Sequence, residues 1–317
     1  MSAYILPLCF LILSLPAVAA QKLIPQNPAY RVIVDNDFAG DPDGLAALAH
    51  QLLAPKTTVP LITVTGTDPN LARLTHGNKD TAVIGKSRAE HLLTLLKTEG
   101  PAVAAGHDYI QREKHNKPSD AAKAIVAEAM KDSPLPLLFT CGGPLTNLAE
   151  ALKLAPAIAE KMTVIWIGGA DYPSGGPEYN LSTDLAAAKY VLEQSGVPVW
   201  QIPVSTYRQM QYSVAEMQAD FLPVSPVSRW LYSLYTDLPA FVQLGGTLTM
   251  GDHPLVLLSA LSTESSHFET LPARTISADG HYGDEIAGRQ IRVFSGVDAR
   301  LTFADFIARL KIAATDN

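Results

Sequence analysis

The sequence predicts an α/β protein with an open, mainly parallel (Rossmann-like) sheet covered by helices on both faces. Short apolar runs typical of buried strands alternate with helical patterns along most of the 317 residues. Glycine or acidic residues stand where most of these strand segments end. This β-loop-α alternation is typical of parallel sheets, because neighbouring parallel strands need a crossover connection that is usually a helix.

Six strands are predicted, and a helix follows each of the first five. The strands are expected over residues 32–35, 59–64, 101–105, 135–140, 162–167 and 197–202. The helices are expected over residues 43–53, 82–97, 121–130, 145–154, 185–194 and 255–261. The pattern becomes mostly helical from 213 to 262, and no composition break interrupts the chain. We therefore predict a single domain over residues 21–317 with a helical addition at about 213–262.

Composition and charge exclude several classes of function. The chain is 47% hydrophobic and 17% charged, its formal net charge is −7, and it has no run rich in Lys and Arg. Nucleic acid is therefore not an expected partner. The sequence contains neither GxGxxG nor GxxxxGK[ST], so nucleotide-phosphate binding has no support.

Residues 1–20 have the pattern of a secretory signal peptide. The apolar run Ile5–Leu15 is broken by Pro16, and the small residues after it offer a cleavage site. An uncleaved membrane anchor is the alternative, for which the run is short. We expect an exported protein, periplasmic or secreted, without a stable membrane anchor after cleavage. Loss of Cys9 with the leader would leave Cys141 as the single thiol, so no internal disulfide is expected.

The segment 31–49 (RVIVDNDFAGDPDGLAALA) carries the clearest chemical signal. Between its apolar strand and its helix lie four aspartates, Asp35, Asp37, Asp41 and Asp43. Carboxylates this close repel each other unless a cation lies among them, and a hard divalent cation suits oxygen ligands. Ligands of open α/β sheets bind at the carboxyl ends of strands, which is where this loop is predicted to lie. The alternative is an acidic surface turn in which Asp43 caps the helix.

Two later segments carry polar groups that suit a site at the same edge. The turn Gly143–Asn147 leads from a strand into a helix, and the carbonyls of Cys141 and Gly142 just before it could supply a neutral oxygen ligand to a cation. Glu178 and Asn180 would point to the same side of an extended chain, where they could bind a vicinal diol. A loop with helix capping is the alternative for that pair.

Asp252 and His253 open the helical pattern that is predicted at 255–261. Asp252 could cap this helix, or it could return to the acidic loop as a late carboxylate. A buried His253 beside it could act as a proton donor.

These segments, in this order, resemble the inosine–uridine nucleoside hydrolase family. Residues 35–43 (DNDFAGDPD) resemble a variant of its Asp-x-Asp-x-x-x-Asp-Asp signature. Residues 143–149 (GPLTNLA) and 164–170 (VIWIGGA) resemble its Gly-Pro-Leu-Thr-Asn and Met-Gly-Gly-Ala segments. Residues 178–184 (EYNLSTD) resemble its Glu-Phe-Asn segment, and the resemblance extends over about 32–258.

The resemblance implies an open α/β sheet that holds one Ca²⁺ at its carboxyl edge and hydrolyses ribonucleosides to ribose and free base. Carried over by position, the ligands of the metal would be Asp37, Asp43, Asp252 and the carbonyl of Gly142, with Asp37 also acting as general base. The residues that contact the substrate would be Asp41, Thr67, Glu178, Asn180 and His253. The implied partner is a small-molecule nucleoside, and a homo-oligomer stays open.

The chain departs from the family pattern in its acidic loop. Pro42 separates the two aspartates that the family has side by side. Alignment from Asp35 assigns the first position of the pair to Asp41, whereas alignment back from the helix assigns it to Asp43. We predict that Asp43 takes the metal role.

Two further departures concern the substrate. Thr67 stands where the family usually has a ribose-binding Asn, and Gly251 precedes Asp252 where the family has His. The identity of the group that protonates the leaving base is therefore open, and so is the preferred base.

Two other functions compete with nucleoside hydrolysis at this stage. A haloacid-dehalogenase-like phosphatase would use Asp35 as nucleophile and Asp37 as acid and base, with Mg²⁺. A secreted nucleoside- or ribose-binding protein that has lost catalysis would explain the split aspartate pair. An EF-hand is excluded, because Ala46 stands where its loop needs a bidentate carboxylate.

Overall fold

The computed structural model describes residues 24–77, 79–109 and 117–315, so the predicted signal peptide lies outside the described residues. Its strands are β1 Tyr30–Asn36, β2 Thr57–Val64, β3 Ala102–Ala105, β4 Leu137–Cys141, β5 Met162–Ile167, β6 Val199–Ile202, β7 Gln211–Ser213, β8 Thr247–Thr249, β9 His267–Ile276 and β10 Tyr282–Gly296. The central sheet has the order β3-β2-β1-β4-β5-β6-β10-β9, and only the β10–β9 pair is antiparallel. The predicted open, mainly parallel α/β sheet is confirmed.

Helices connect the parallel strands. They are α1 Asp43–Leu53, α2 Pro69–His76, α3 Thr81–Leu95, α4 Asp120–Ala129, α5 Thr146–Leu154, α6 Tyr179–Thr183, α7 Leu185–Lys189, α8 Val204–Tyr207, α9 Val214–Glu216, α10 Pro226–Thr236, α11 His253–Val256 and α12 Ala299–Thr315. One-turn π-helical segments continue three of them, at Tyr190–Gln194, Met217–Phe221 and Leu257–Leu261. Among the described residues, no helix has the length and apolar character needed to cross a membrane.

Strand β1 shows why the sheet is covered on both faces. Val32 and Val34 pack in one hydrophobic cluster, while Ile33 between them packs in a second cluster on the opposite face. Successive side chains of a strand point to opposite faces, so a continuous apolar run indicates a strand that is buried on both sides.

The register of the strands places their carboxyl ends side by side. Asp35 pairs with Cys141 of β4, and Cys141 pairs with Trp166 of β5. Strands β1, β4 and β5 therefore end at nearly the same level, and the loops that follow them meet at one edge of the sheet.

The chain beyond residue 203 differs in detail from the sequence pattern. The segment predicted as mostly helical contains α9, α10 and α11, but β8 also lies in it and pairs with β7 in a small antiparallel sheet. Strands β9 and β10 and helix α12 were not predicted. The side chains of Phe303 and Phe306 in α12 pack against the ring of His253 in α11, which buries this end of the chain.

Candidate active site

A cavity of about 340 Å³ opens at the carboxyl ends of β1, β4 and β5. Seven of the nine residues predicted from the sequence line it, namely Asp37, Asp41, Asp43, Gly142, Glu178, Asn180 and Asp252. These seven come from four segments that are far apart in the chain. Thr67 and His253 do not line this cavity.

Asp35, the first of the four aspartates, stabilises the fold rather than lining the cavity. It is fully buried and accepts hydrogen bonds from Thr63 Oγ1 at 2.6 Å and Asn147 Nδ2 at 2.8 Å. It thus joins β1 to the neighbouring strand and to helix α5. Burial raises the pKa of Asp35 to about 6.

Asp37, Asp41 and Asp43 face the cavity from the loop after β1 and the start of α1. Burial, together with repulsion from Asp41, raises the pKa of Asp37 well above its usual value. Burial, together with repulsion from Asp252, does the same for the pKa of Asp43, whose Oδ2 accepts from the backbone N–H of Asp252 at 3.3 Å. Crowded carboxylates with raised pKa values are those that a bound cation would stabilise.

Asn36 is a site residue that the sequence interpretation missed. Its Nδ2 donates to Oδ2 of Asp252 at 2.8 Å, and its Oδ1 accepts from the backbone N–H of Asp37 at 2.8 Å. It therefore ties together two of the predicted metal ligands. Burial raises the pKa of Asp252 to about 8, and the hydrogen bond from Asn36 opposes that rise.

Two glycines make room for the Asn36 amide. A Cβ atom on Gly44 would lie 2.6 Å from Asn36 Nδ2, and one on Gly142 would lie 2.4 Å from the same nitrogen and 2.6 Å from Asp252 Oδ2. Neither distance is compatible with an unshifted side chain. The slot that Gly44 and Gly142 leave for the Asn36 amide is formed by residues far apart in sequence, so a single sequence gave no signal for it.

Glu178 and Asn180 line the cavity, but not by the geometry predicted from an extended chain. Glu178 is the N-cap of α6, and Asn180 lies in its first turn. The Oε2 atom of Glu178 accepts from the backbone N–H of Gly169 at 2.7 Å and from that of Leu181 at 3.0 Å. Gly169 has a φ of 77°, a left-handed conformation that favours glycine.

The Asn180 amide joins the site to the ends of two strands. Its Nδ2 donates to the carbonyl of Gly142 and to that of Ile167, both at 2.9 Å. The Gly142 carbonyl predicted as a metal ligand therefore already accepts one hydrogen bond, and a carbonyl oxygen has a second lone pair to offer.

Tyr207 is the second site residue that the sequence interpretation missed. It lines the cavity, and its hydroxyl donates to Oε1 of Glu178 at 3.0 Å. Burial and the nearby Glu178 charge raise the pKa of Tyr207, so the phenol stays protonated as a donor. Its position five residues after β6 was a usable signal, because β6 ends at the same edge of the sheet.

The two remaining predicted residues lie elsewhere. The backbone N–H of Thr67 donates to Thr81 Oγ1 at 3.0 Å, and the Thr67 side chain is buried outside the cavity lining. His253 is fully buried against the rings of His50, Phe303 and Phe306. Burial lowers the pKa of His253 well below its usual value, so it is neutral. The prediction that His253 contacts the substrate is not supported by this packing.

Comparison with known proteins agrees with the fold. A family model described as inosine-uridine preferring nucleoside hydrolase matches residues 32–252. The non-specific ribonucleoside hydrolase RihC of Salmonella agona is 27% identical over 225 residues, which cover 64% of this chain and 70% of that protein. Nucleoside hydrolase 4 of Arabidopsis thaliana is 27% identical over 198 residues, 53% of this chain and 35% of that protein. The chain thus matches about a third of the plant protein's length.

A solved structure shares the architecture. The purine-preferring ribonucleoside hydrolase from Gardnerella vaginalis aligns with a TM-score of 0.66 at 20% identity, over 91% of this chain and 100% of that one. The family match extends over most of the chain and includes the four segments that carry the seven predicted residues of the cavity. The chain therefore belongs to the inosine-uridine preferring nucleoside hydrolase family, whose enzymes hydrolyse N-glycosidic bonds.

Proposed function

We propose that this protein hydrolyses ribonucleosides to ribose and free base in a reaction that depends on Ca²⁺. The observation that carries the proposal is the convergence, in one cavity, of four aspartates, a strand-end glycine and the pair Glu178 and Asn180. A site of this composition can hold a cation, a water molecule and a sugar together. We also propose that the protein acts outside the cytoplasm, on the strength of its leader sequence.

The donor set fits a hard cation. The cavity is lined by Asp37, Asp43 and Asp252 and also by Gly142, whose carbonyl is the fourth candidate ligand. Carboxylate and carbonyl oxygens are the ligands that calcium prefers. In the part of the chain that the structure describes, no three His, Cys, Asp or Glu side chains are grouped as a ready-made metal site. When bound, Ca²⁺ would lower the pKa of the attacking water, which is the chemistry that a divalent cation supplies in hydrolysis.

The protein's own groups account for the other steps. Asp37, which lines the cavity, would accept the proton of the attacking water as general base. Glu178 and Asn180 would hold hydroxyl groups of the ribose and fix the orientation of C1′. Positive charge develops at the sugar as the glycosidic bond breaks, and the surrounding carboxylates stabilise that charge in the low-dielectric cavity.

A nucleoside- or ribose-binding protein without catalysis is the second candidate. Pro42 separates Asp41 from Asp43, and Gly44 carries no side chain at the next position. Measurement of binding together with base release separates the two functions, because a binding protein would bind ribose or nucleoside without releasing base.

The test is a panel of ribonucleosides incubated with purified protein, with reducing sugar and free base measured together. Wild type should release both in equal amounts. Asp37→Asn should keep the fold and lose turnover, because an amide cannot take the proton of water. Asp120→Asn, an exposed change at the start of α4, is the matched control and should retain activity. Full activity of Asp37→Asn would contradict the assignment of the general base.

A further inference from the structure

Tyr207 packs so closely on Gly251 that a larger residue at position 251 would press on its ring. A Cβ atom on Gly251 would lie 3.1 Å from Cδ2 of the Tyr207 ring and 3.6 Å from Oδ2 of Asp43. The φ angle of Gly251 is outside the left-handed region, so its backbone does not require glycine. The steric constraint at this position comes from the aromatic ring packed against it. Both residues line the catalytic cavity.

The hydroxyl of Tyr207 completes the hydrogen bonding of Glu178. The backbone N–H groups of Gly169 and Leu181 hold Oε2, and Tyr207 alone among the described residues donates to Oε1. With Oε2 fixed, this one bond sets the rotation of the carboxylate. A lone pair of Oε1 then stays available for a hydroxyl of the substrate.

We propose that Tyr207 is the positioning residue that orients Glu178 toward the sugar, and that Gly251 is its steric complement. The proposal rests on the proposed function, since it assigns Glu178 to the sugar. Packing alone would be served equally well by phenylalanine, so the phenolic oxygen is the part of Tyr207 that the proposal needs.

Removal of that oxygen should weaken sugar binding more than turnover. Glu178 in Tyr207→Phe would keep its backbone donors but lose the bond that fixes Oε1. A hydrogen bond to a charged group typically changes an equilibrium by a factor of about 10 to 100. We therefore expect KM for a ribonucleoside and Kd for free ribose to rise by about 10- to 100-fold. The value of kcat should change by less than about fivefold, because the interaction is lost in ground state and transition state alike.

The experiment compares Tyr207→Phe with Tyr232→Phe, which removes a tyrosine hydroxyl that accepts from Gln218 at 3.4 Å outside the cavity. Steady-state kinetics give KM and kcat, calorimetry with ribose gives Kd, and thermal melting reports the fold. Tyr232→Phe should match wild type in KM and Kd. If Tyr207→Phe also matches wild type while wild type hydrolyses nucleosides, the positioning role is overturned and the proposed function stands. If wild type neither hydrolyses nucleosides nor binds ribose, the proposed function itself fails and the role of Tyr207 fails with it.

A double-mutant cycle tests the steric part. Gly251→Val should displace the Tyr207 ring and raise KM by about the same 10- to 100-fold, with Gly251→Ala giving a smaller rise. In a Tyr207→Ala background the extra side chain has space, so Gly251→Val should cause less than about a threefold further change. Additive effects of the two substitutions would show that Gly251 and Tyr207 are not complementary.

Discussion

Substitution of Gly44 by alanine should disable the site through Asn36. The added Cβ would lie 2.6 Å from Nδ2, 3.0 Å from Cγ and 3.1 Å from Oδ1 of Asn36, and these are its three nearest contacts. The carboxamide must therefore move away from Asp252 Oδ2 and from the backbone N–H of Asp37, which are its two partners.

The magnitude follows from those two hydrogen bonds. A bond to a carboxylate contributes about 1.5–3 kcal/mol and a neutral one about 0.5–1.5 kcal/mol. Alanine is favoured over glycine in a helix by up to about 1 kcal/mol, and this gain offsets part of the loss because Gly44 is the second residue of α1. We expect a net loss of about 1–3 kcal/mol in the free energy of unfolding. We expect kcat/KM to fall about 10- to 100-fold as Asp252 loses its position.

The assay is a double-mutant cycle with Asn36→Ala, read out by kcat/KM, calcium calorimetry and urea unfolding. In the Asn36→Ala background the clashing atoms are gone, so Gly44→Ala should change kcat/KM by less than about threefold. Gly246→Ala is the matched control, because no atom lies within 4 Å of its built Cβ. Independent, additive effects of Gly44→Ala and Asn36→Ala would refute the claim that Asn36 fills this slot.

Three further predictions concern the sugar pair and the buried histidines. Asn180→Ala should lower kcat/KM by about 30- to 1000-fold, since a lost transition-state hydrogen bond costs about 2–4 kcal/mol; a change below about threefold, similar to that of the surface control Asn70→Ala, would contradict a sugar contact. His253→Leu should retain kcat/KM within about threefold and should not lower the melting temperature, because neither buried ring nitrogen makes a hydrogen bond of normal geometry to any residue that the structure describes; a large loss of activity would restore His253 as a substrate contact. Burial lowers the pKa of His50 below its usual value despite its bond to Asp305, so at this group the unfolded chain binds more protons, and the contribution of His50 to stability should fall as pH drops below about 6.5. In His50→Gln, the free energy of unfolding measured with urea should decrease less steeply as pH is lowered over that range. The same pH dependence as wild type would contradict the lowered pKa of His50.

The central strands could be predicted because runs of consecutive apolar residues indicate their burial. Strands buried on both faces, such as β1, give continuous apolar runs that need no information from distant residues. Strand β10 has a different pattern: in its final part Ile291, Val293 and Phe294 are buried, while its first half is mostly exposed and polar. That mixture resembles a loop, so the β9–β10 hairpin at the edge of the sheet was missed.

The site was predictable where chemistry is concentrated locally. Asp37, Asp41 and Asp43 stand out as a run of carboxylates, and a strand followed by an acidic loop implies a site at the carboxyl edge. Asn36 could not be recognised in the same way, because its role depends on Asp252, 216 residues away in sequence. Tyr207 was signalled only by its position after β6, because its partner Glu178 lies 29 residues away in sequence.

The packing of His253 does not support the prediction that it contacts the substrate. It was predicted at the site because it follows Asp252 directly. Successive residues at the start of a helix point in directions about 100° apart, so the two side chains face different surroundings. Asp252 faces the cavity, whereas His253 packs on Phe303 and Phe306 of α12, an element that the sequence interpretation did not include.

The most direct test of the account is release of base and ribose from a ribonucleoside before chelation, in excess chelator, and after Ca²⁺ is restored, with the matching deoxyribonucleoside in parallel. A calcium-dependent ribonucleoside hydrolase should release ribose and base equally, lose both activities in chelator, recover them with Ca²⁺, and act much more slowly on the deoxyribonucleoside. An enzyme whose site binds a substrate hydroxyl has a much lower kcat/KM for the analogue that lacks it, by a factor of up to about 10⁴. Activity that persists in chelator after dialysis, or equal rates for the two nucleosides, would contradict a calcium-dependent ribonucleoside hydrolase.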